Sequence, residues 1–201
     1  MRLGILGGTF DPPHVGHLIL AEEARQALEL EQVLFVPAGA PWRKAGRELS
    51  PREDRLAMVQ LAVGDSLHFA VSILEIEREG PSYTAETLAA LHQQLPADSE
   101  IFFIVGQDSL ADLPNWRQPQ RIISLARLAV AVRTDWASAQ ADALEKEVPG
   151  ISQRLVWLDT PRIDISSTAV RDRVRQGLSI RDWVPPAVEE YIRQNKLYVE
   201  G

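Results

Sequence analysis

Cysteine is absent from the 201 residues, and lysine occurs only three times against 18 arginines. Without cysteine there can be no disulfide, no thiolate zinc site and no cysteine nucleophile. No stretch approaches the roughly 18 uncharged apolar residues of a membrane span. The opening Met1-Arg2-Leu3-Gly4-Ile5-Leu6-Gly7-Gly8 reaches glycine too soon for the apolar core of a signal peptide, so a cytoplasmic location is expected. Positive charge is also in deficit, with a formal net charge of −7. That balance argues against a general binder of nucleic-acid polymers, which wants a basic surface. It leaves room for a small anionic substrate, because a pocket can be locally positive inside an acidic protein. The segment from Arg43 to Arg55 carries five basic residues against three acidic ones, and Arg171, Arg173, Arg175 and Arg181 stand with only Asp172 among them.

No internal repeat, low-complexity tract or linker interrupts the chain, and its length suits one domain. Short apolar runs alternate with helical patterns, which argues for parallel βαβ units. Leu3–Leu6, Val33–Val36, Phe69–Ile73, Ile101–Val105, Leu128–Val132 and Leu155–Leu158 read as strands. Leu18, Ala21, Ala24 and Leu28 share a face of a helix starting near Val15. Ser50-Pro51-Arg52-Glu53 reads as a serine N-cap, a proline at the first helical position and a glutamate three residues after the cap. Leu56, Val59 and Val63 continue that helix, and Leu88, Leu91 and Leu95 mark another. Two last helices are expected near Ala169–Arg175 and Pro186–Asn195. The sum is an α/β fold, an open, mostly parallel sheet with helices on both faces and a small C-terminal helical extension over about 167–201. In such sheets ligands bind beyond the carboxyl ends of the strands. Attention therefore falls on the loops after Leu6, Val36, Val105 and Leu158.

The first of these reads Gly7-Gly8-Thr9-Phe10-Asp11-Pro12-Pro13-His14-Val15-Gly16-His17. Paired glycines let the backbone approach a ligand closely. Thr9 adds a hydroxyl and an amide, and Pro12-Pro13 stiffens the entry to the helix. His14 and His17, three residues apart, share one face of the first helical turn. A helix N-terminus carries partial positive charge and free N–H groups, which favour phosphate. The other reading is a capped helix start with a glycine-rich turn.

This segment resembles the signature of the HxGH nucleotidyltransferase superfamily and, within it, the bacterial nicotinate-nucleotide adenylyltransferases. The resemblance extends over nearly the whole chain, because later motifs recur in that family's order, and it implies a Rossmann-like sheet. It implies ATP contacts from Gly7, Gly8, Thr9, Phe10, His14 and His17. After the second strand, Pro41-Trp42-Arg43-Lys44 stands where the family commonly has Pro-Pro-His-Lys. A solvated loop would explain these charges; the resemblance makes Lys44 a phosphate contact and leaves the family's histidine without a counterpart. Arg43 is a weak substitute and Trp42 a candidate stacking lid. Gly80-Pro81-Ser82-Tyr83-Thr84 offers Ser82 as an N-cap. The resemblance adds Tyr83 and Thr84 as contacts of a nicotinate ring, and Trp116 as its wall, although a tryptophan is more often packing. Gly106 and Asp108 follow the strongest strand. Asp108 suits a helix cap or a ribose contact, and the resemblance favours the nucleotide. Arg133 occupies a similar strand end, beside adenine. Ile165-Ser166-Ser167-Thr168 with Arg171 reads equally as a capped surface helix or as a phosphate site. The family pattern favours phosphate, with Ser167 and Arg171 as main contacts and Ser166 beside them.

The resemblance implies transfer of AMP from ATP to the 5′-phosphate of nicotinate mononucleotide, giving deamido-NAD and pyrophosphate in NAD biosynthesis. His14, His17, Lys44 and Arg171 would be the catalytic contacts. The same resemblance assigns Thr9, Lys44, Tyr83, Thr84 and Trp116 to the mononucleotide. Mg²⁺ would be carried mainly on substrate phosphates, since the chain offers no dedicated carboxylate cluster. Two alternatives stand beside it. One is an adenylyltransferase for another phosphorylated acceptor such as pantetheine phosphate, with cytidylyltransferases behind it. The other is a nucleotide-binding module without turnover. Trp136, Trp157 and Trp183 are candidates for core or interface, which leaves a homo-oligomer open.

Overall fold

The computed structural model describes residues 1–42, 49–132, 137–161 and 164–199. A sheet of six parallel strands forms its centre, in the order β3-β2-β1-β4-β5-β6. The strands are β1 (Arg2–Gly8), β2 (Gln32–Pro37), β3 (Phe69–Val71), β4 (Glu100–Gly106), β5 (Arg127–Val132) and β6 (Leu155–Asp159). Burial is nearly continuous along β1 and β4, as expected for parallel strands covered on both faces. The strand order reverses between these two. They pair from Arg2 with Glu100 to Ile5 with Phe103. Beyond that register both run on, to Gly8 and Gly106, paired to their outer neighbours but not to each other. The divergence opens a crevice at the topological switch point.

Helices cover both faces. On one, α1 (Val15–Ala27) and α2 (Arg52–Val63) bury Ala21, Ala24, Val59 and Val63 against Leu6 and Phe35. On the other, α4 (Thr84–Gln94) and α6 (Pro119–Leu125) bury Leu88, Leu91 and Ile122 against Leu3 and Ile101. Short helices α3 (Leu74–Glu77) and α5 (Gln107–Ala111) follow β3 and β4, and α7 (Ala137–Glu147) precedes β6. Strand β3 stops at Val71, short of the expected Ile73. There the Ser72 hydroxyl accepts the Leu74 N–H at 3.3 Å and turns the chain into α3. Helix α2 begins at Arg52, and its cap is Pro51 in an extended conformation, not Ser50. Ser50 is committed elsewhere: its N–H donates to Asp11 Oδ2 at 3.3 Å and its carbonyl accepts from Arg55. Trp157 and Trp183 are half-buried against core clusters, while Trp136 lies outside the described residues.

The C-terminal helices α8 (Ser167–Arg175) and α9 (Pro186–Gln194) make a third apolar cluster with α2, through Met58, Val170, Val184, Val188 and Ile192. From there the extension grips the loop after β1 at four points. The Ser167 hydroxyl donates to the Pro12 carbonyl at 2.8 Å, and Arg171 Nη1 to the Asp11 carbonyl at 2.6 Å. The Val15 N–H donates to the Trp183 carbonyl at 2.9 Å. The Tyr198 hydroxyl donates to Asp11 Oδ1 at 2.7 Å across 187 residues of sequence. Burial pushes the Tyr198 phenol up from its ordinary value, so it stays a protonated donor to that carboxylate.

Three substitutions test this packing. At Gly39 an added Cβ would lie 2.0 Å from the Glu75 carbonyl oxygen, whereas at Gly106 it would meet nothing within 4 Å. Gly39→Ala is expected to lower unfolding free energy in urea by at least about 3 kcal/mol, and Gly106→Ala to change it by no more than about 0.5 kcal/mol. Tyr198→Phe leaves a buried carboxylate oxygen without its donor, and denaturant titration should register a loss of about 2 kcal/mol.

Candidate functional site

The loop after β1 reaches α1 through two unusual backbone conformations. Phe10 adopts a left-handed conformation, with φ of 51°, and the Asp11–Pro12 peptide is cis. The Phe10 ring is buried against Phe35 and meets the His17 ring edge-on at 4.9 Å. A nucleotide contact from Phe10 would therefore be made by its backbone, and its side chain supports His17 from below. His14 is the N-cap of α1. Its N–H donates to His17 Nδ1 at 3.1 Å, and the two imidazoles stack with centroids 3.7 Å apart. Because Nδ1 of His17 accepts that bond, the neutral ring carries its proton on Nε2, as a donor. Burial lowers the His14 pKa from 6.5 to about 4, so the ring is neutral at pH 7. The folded form then binds fewer protons than the unfolded chain between those values, and His14 subtracts from stability as pH falls through that window. A phosphate placed beside it would act in the opposite direction and favour the imidazolium.

Arg55 holds this loop to its neighbour. It is 2% exposed. Nη1 donates to the Thr9 carbonyl at 2.9 Å and to the Ala38 carbonyl at 2.5 Å, Nη2 to Gly39 at 3.0 Å, and Nε to Ser50 at 3.2 Å. Burial opposes its charge and the nearby Asp11 carboxylate supports it. The loop after β2 is thus tied to the loop after β1. Lys44 and Arg43 follow in that loop but lie outside the described residues, as does Arg133.

A cavity of about 420 Å³ opens at the switch point, within the range of small-molecule sites. Its floor is Ile5, Gly7, Gly8 and Phe103, at the diverging strand ends. Thr9, Thr84 and Trp116 line it, so three residues expected around the mononucleotide come together here. Trp116 meets Phe103 edge-on and donates from Nε1 to Asp112 at 3.1 Å. Trp42 lines the same cavity and leans on Tyr83 at 5.9 Å, while the Arg117 guanidinium lies 4.4 Å over the Tyr83 ring.

Several expected caps are placed differently. Ser82 is not the cap of α4. Tyr83 holds that position, and no side chain caps the helix. The Ser82 hydroxyl accepts the Ala40 N–H at 3.2 Å, and its own N–H donates to the Ala40 carbonyl at 2.9 Å, joining two loops. Asp108 is an exposed residue inside α5, whose cap is Gly106; Ser109 is the α5 residue that lines the cavity. Ser166 does cap α8, accepting the Ala169 N–H at 3.2 Å. Ser167 and Arg171 are brought to the loop of His14, where each donates to a loop carbonyl. Arg175 is paired with Asp172 at 2.7 Å.

Residues not singled out from the sequence also stand here. They are Glu75 and Thr87 in the cavity wall, and Asp11, Arg55 and Tyr198 beneath the loops. Glu75 left one trace: a lone acid within the apolar Ile73-Leu74-Glu75-Ile76 run. Among the described residues, no group of three histidine, aspartate or glutamate side chains could hold a metal ion, and no helix is long and apolar enough to cross a membrane.

Residues 5–173 match the cytidylyltransferase-like family model. A protein of Dehalococcoides mccartyi (strain CBDB1) named "Probable nicotinate-nucleotide adenylyltransferase" is 46% identical over 198 residues, 98% of this chain and 97% of that protein. One of Roseiflexus sp. (strain RS-1) with the same name is 49% identical over 196 residues, with the same coverage. The fold matches that of Plasmodium falciparum nicotinic acid mononucleotide adenylyltransferase, solved in complexes with APC and with NaAD. The TM-score is 0.76 for each, at 16% and 17% identity, over 98% of this chain and at least 96% of the other. The chain belongs to the cytidylyltransferase-like family, among its nicotinate-nucleotide adenylyltransferases.

Proposed function

We propose that this chain transfers the adenylyl group of ATP to the 5′-phosphate of nicotinate mononucleotide, releasing pyrophosphate and forming deamido-NAD, a step of NAD biosynthesis. One observation carries this reading beyond family membership. A cavity walled by two tryptophans adjoins, through Gly8 and Thr9, a helix N-terminus bearing two stacked histidines. The first suits a planar ring and the second suits phosphate. Thr84 opens α4, whose N-terminus has no side-chain cap, so a carboxylate on the ring would meet N–H donors and the positive helix end. A flexible acceptor such as pantetheine phosphate would gain little from Trp42 and Trp116.

An oxygen of the mononucleotide phosphate attacks the α-phosphorus of ATP. A bond forms between them as the bond from α-phosphorus to the α,β-bridging oxygen breaks, and pyrophosphate leaves with that electron pair. The nucleophile is already anionic at pH 7, so no general base is required. Catalysis rests on alignment and on stabilising the charge that grows on the transferring and leaving oxygens. His17 donates from Nε2 to the α-phosphate, with His14 stacked beside it at the positive end of α1. Gly7, Gly8 and Thr9 admit the phosphates closely. Arg171 and Ser167 fix the loop, and Arg171 adds positive charge. Gly106 and Asp108, at the start of α5, are assigned to the nucleotide and Arg133 to adenine on the sequence alone. Lys44 is assigned to phosphate on the sequence alone. Mg²⁺ would be carried mainly on the ATP phosphates, where it would neutralise part of their charge.

Pyrophosphate release separates these readings. With ATP and Mg²⁺, nicotinate mononucleotide should support turnover, while pantetheine phosphate should not. Turnover with pantetheine phosphate alone would move the acceptor assignment to that substrate, and ATP binding without any release would favour a non-catalytic module. His17→Ala should lower kcat by at least about 10²–10³ while the protein still folds, checked by circular dichroism. Near-normal turnover in that variant would remove His17 from the mechanism.

A further inference from the structure

Among the described residues that line the cavity, Glu75 is the one ionisable side chain, and it is 8% exposed. It sits on α3, the short helix between β3 and the Ser82-Tyr83-Thr84 turn. The Thr87 hydroxyl donates to Glu75 Oε1 at 2.6 Å, and Thr87 in turn accepts from Arg78 Nη1 at 3.0 Å. The Ser82 hydroxyl and the Arg78 charge both stabilise the carboxylate, against a burial that pushes it up from its ordinary value. The backbone carbonyl of Glu75 lies so close to Gly39 that no side chain fits between them. Three segments therefore meet on one acid: the loop after β2 through Gly39, the Ser82 turn, and the first turn of α4 through Thr87.

This acid is an awkward neighbour for an anionic ring. A buried carboxylate in the wall would repel a substrate carboxylate if it faced the ligand. Here its known partners lie in the protein: Thr87 has its one proton on Glu75 and its lone pairs toward Arg78. The donors that remain for a ligand are those of Thr84 and the uncapped α4 N-terminus. Resting on the acceptor assignment above, we infer that Glu75 is a positioning residue for the mononucleotide. It anchors Thr87 and Ser82 from behind, and so sets the Ser82-Tyr83-Thr84 turn against the ring side of the cavity. ATP does not depend on it.

The test is a split between the two Michaelis constants, measured by pyrophosphate release with each substrate varied in turn. Glu75→Ala should raise KM for nicotinate mononucleotide by about tenfold or more, the loss expected of one charge-assisted hydrogen bond. KM for ATP, and kcat at saturating acceptor, should stay within about twofold. Glu75→Gln keeps the length and an oxygen acceptor for Thr87 and should recover most of the loss. Thr87→Val, which removes the hydroxyl at nearly constant volume, should reproduce the acceptor defect and provides the reading if Glu75→Ala does not fold. An unchanged acceptor KM in folded Glu75→Ala or Thr87→Val overturns the assignment, as does a parallel rise in both constants. Wild-type protein that turns over no nicotinate mononucleotide would overturn the function proposed above and this assignment with it, an outcome distinct from the other two.

Discussion

A guanidinium removed from water must find partners for its N–H donors or the helix that carries it will not dock. Arg55 finds four, all backbone carbonyls, on Thr9, Ala38, Gly39 and Ser50. These belong to the ends of two different strands and to the entry of its own helix. Neither loop could move without stranding a buried cation. Asp11, buried beside it, takes the Ser50 N–H on one oxygen and the Tyr198 hydroxyl on the other. The C-terminal extension is thereby recruited to the same knot. Placement of His14, three residues beyond Asp11, follows from this arrangement and not from the local preference of a Pro-Pro-His segment.

The same constraint explains why the site has two unlike halves. The α1 face of the loop is crowded, with Phe10 beneath His17 and His14 largely shut from water. The α4 face is open, because β1 and β4 cease to pair after Ile5 and Phe103. A ligand with a flat ring and a phosphate would lie across the carboxyl end of β1, its apolar part in the opening and its charged part on the helix end. The glycines at positions 7 and 8 form the ridge between them.

What could be read from the sequence follows the range of the interactions. The strands, the helix on Leu18, Ala21 and Ala24, and the histidine turn each leave a pattern within a few residues, an apolar run, a helical spacing or a motif, and that pattern shows them. The cap of α8 at Ser166 is equally local. Ser50 and Ser82 look like caps by the same local rule, yet each is claimed by a partner about 40 residues away, Asp11 for one and Ala40 for the other. Glu75, Arg55 and Tyr198 carry no local signature, because their partners are brought to them only by the sheet order. Helices α6 and α7 escaped for a different reason: α6 is seven residues long, and its start follows Gln118 in a left-handed conformation that no periodicity announces.

The net charge of −7 also takes on a different meaning once partners are assigned. An arginine held by a carboxylate contributes little positive field, and Arg25, Arg175 and Arg193 are so held, by Glu22, Asp172 and Glu190. Arg171 instead donates to the neutral Asp11 carbonyl, so that hydrogen bond fixes geometry without cancelling charge, whereas the buried Asp11 carboxylate offsets part of the Arg55 charge. Both arginines lie under or beside the loop that leads to α1, where the helix dipole has the same sign. Much of the acidic surplus is on the surface, where solvent and salt screen it within about 10 Å. Arg171, half-buried beside the loop, is less screened than a fully exposed charge and acts more strongly on a phosphate. Arg171, which helps to fix the loop, in this way also makes it more positive beside the α1 N-terminus, and an acidic protein can hold two phosphate-bearing substrates without a dedicated lysine cluster.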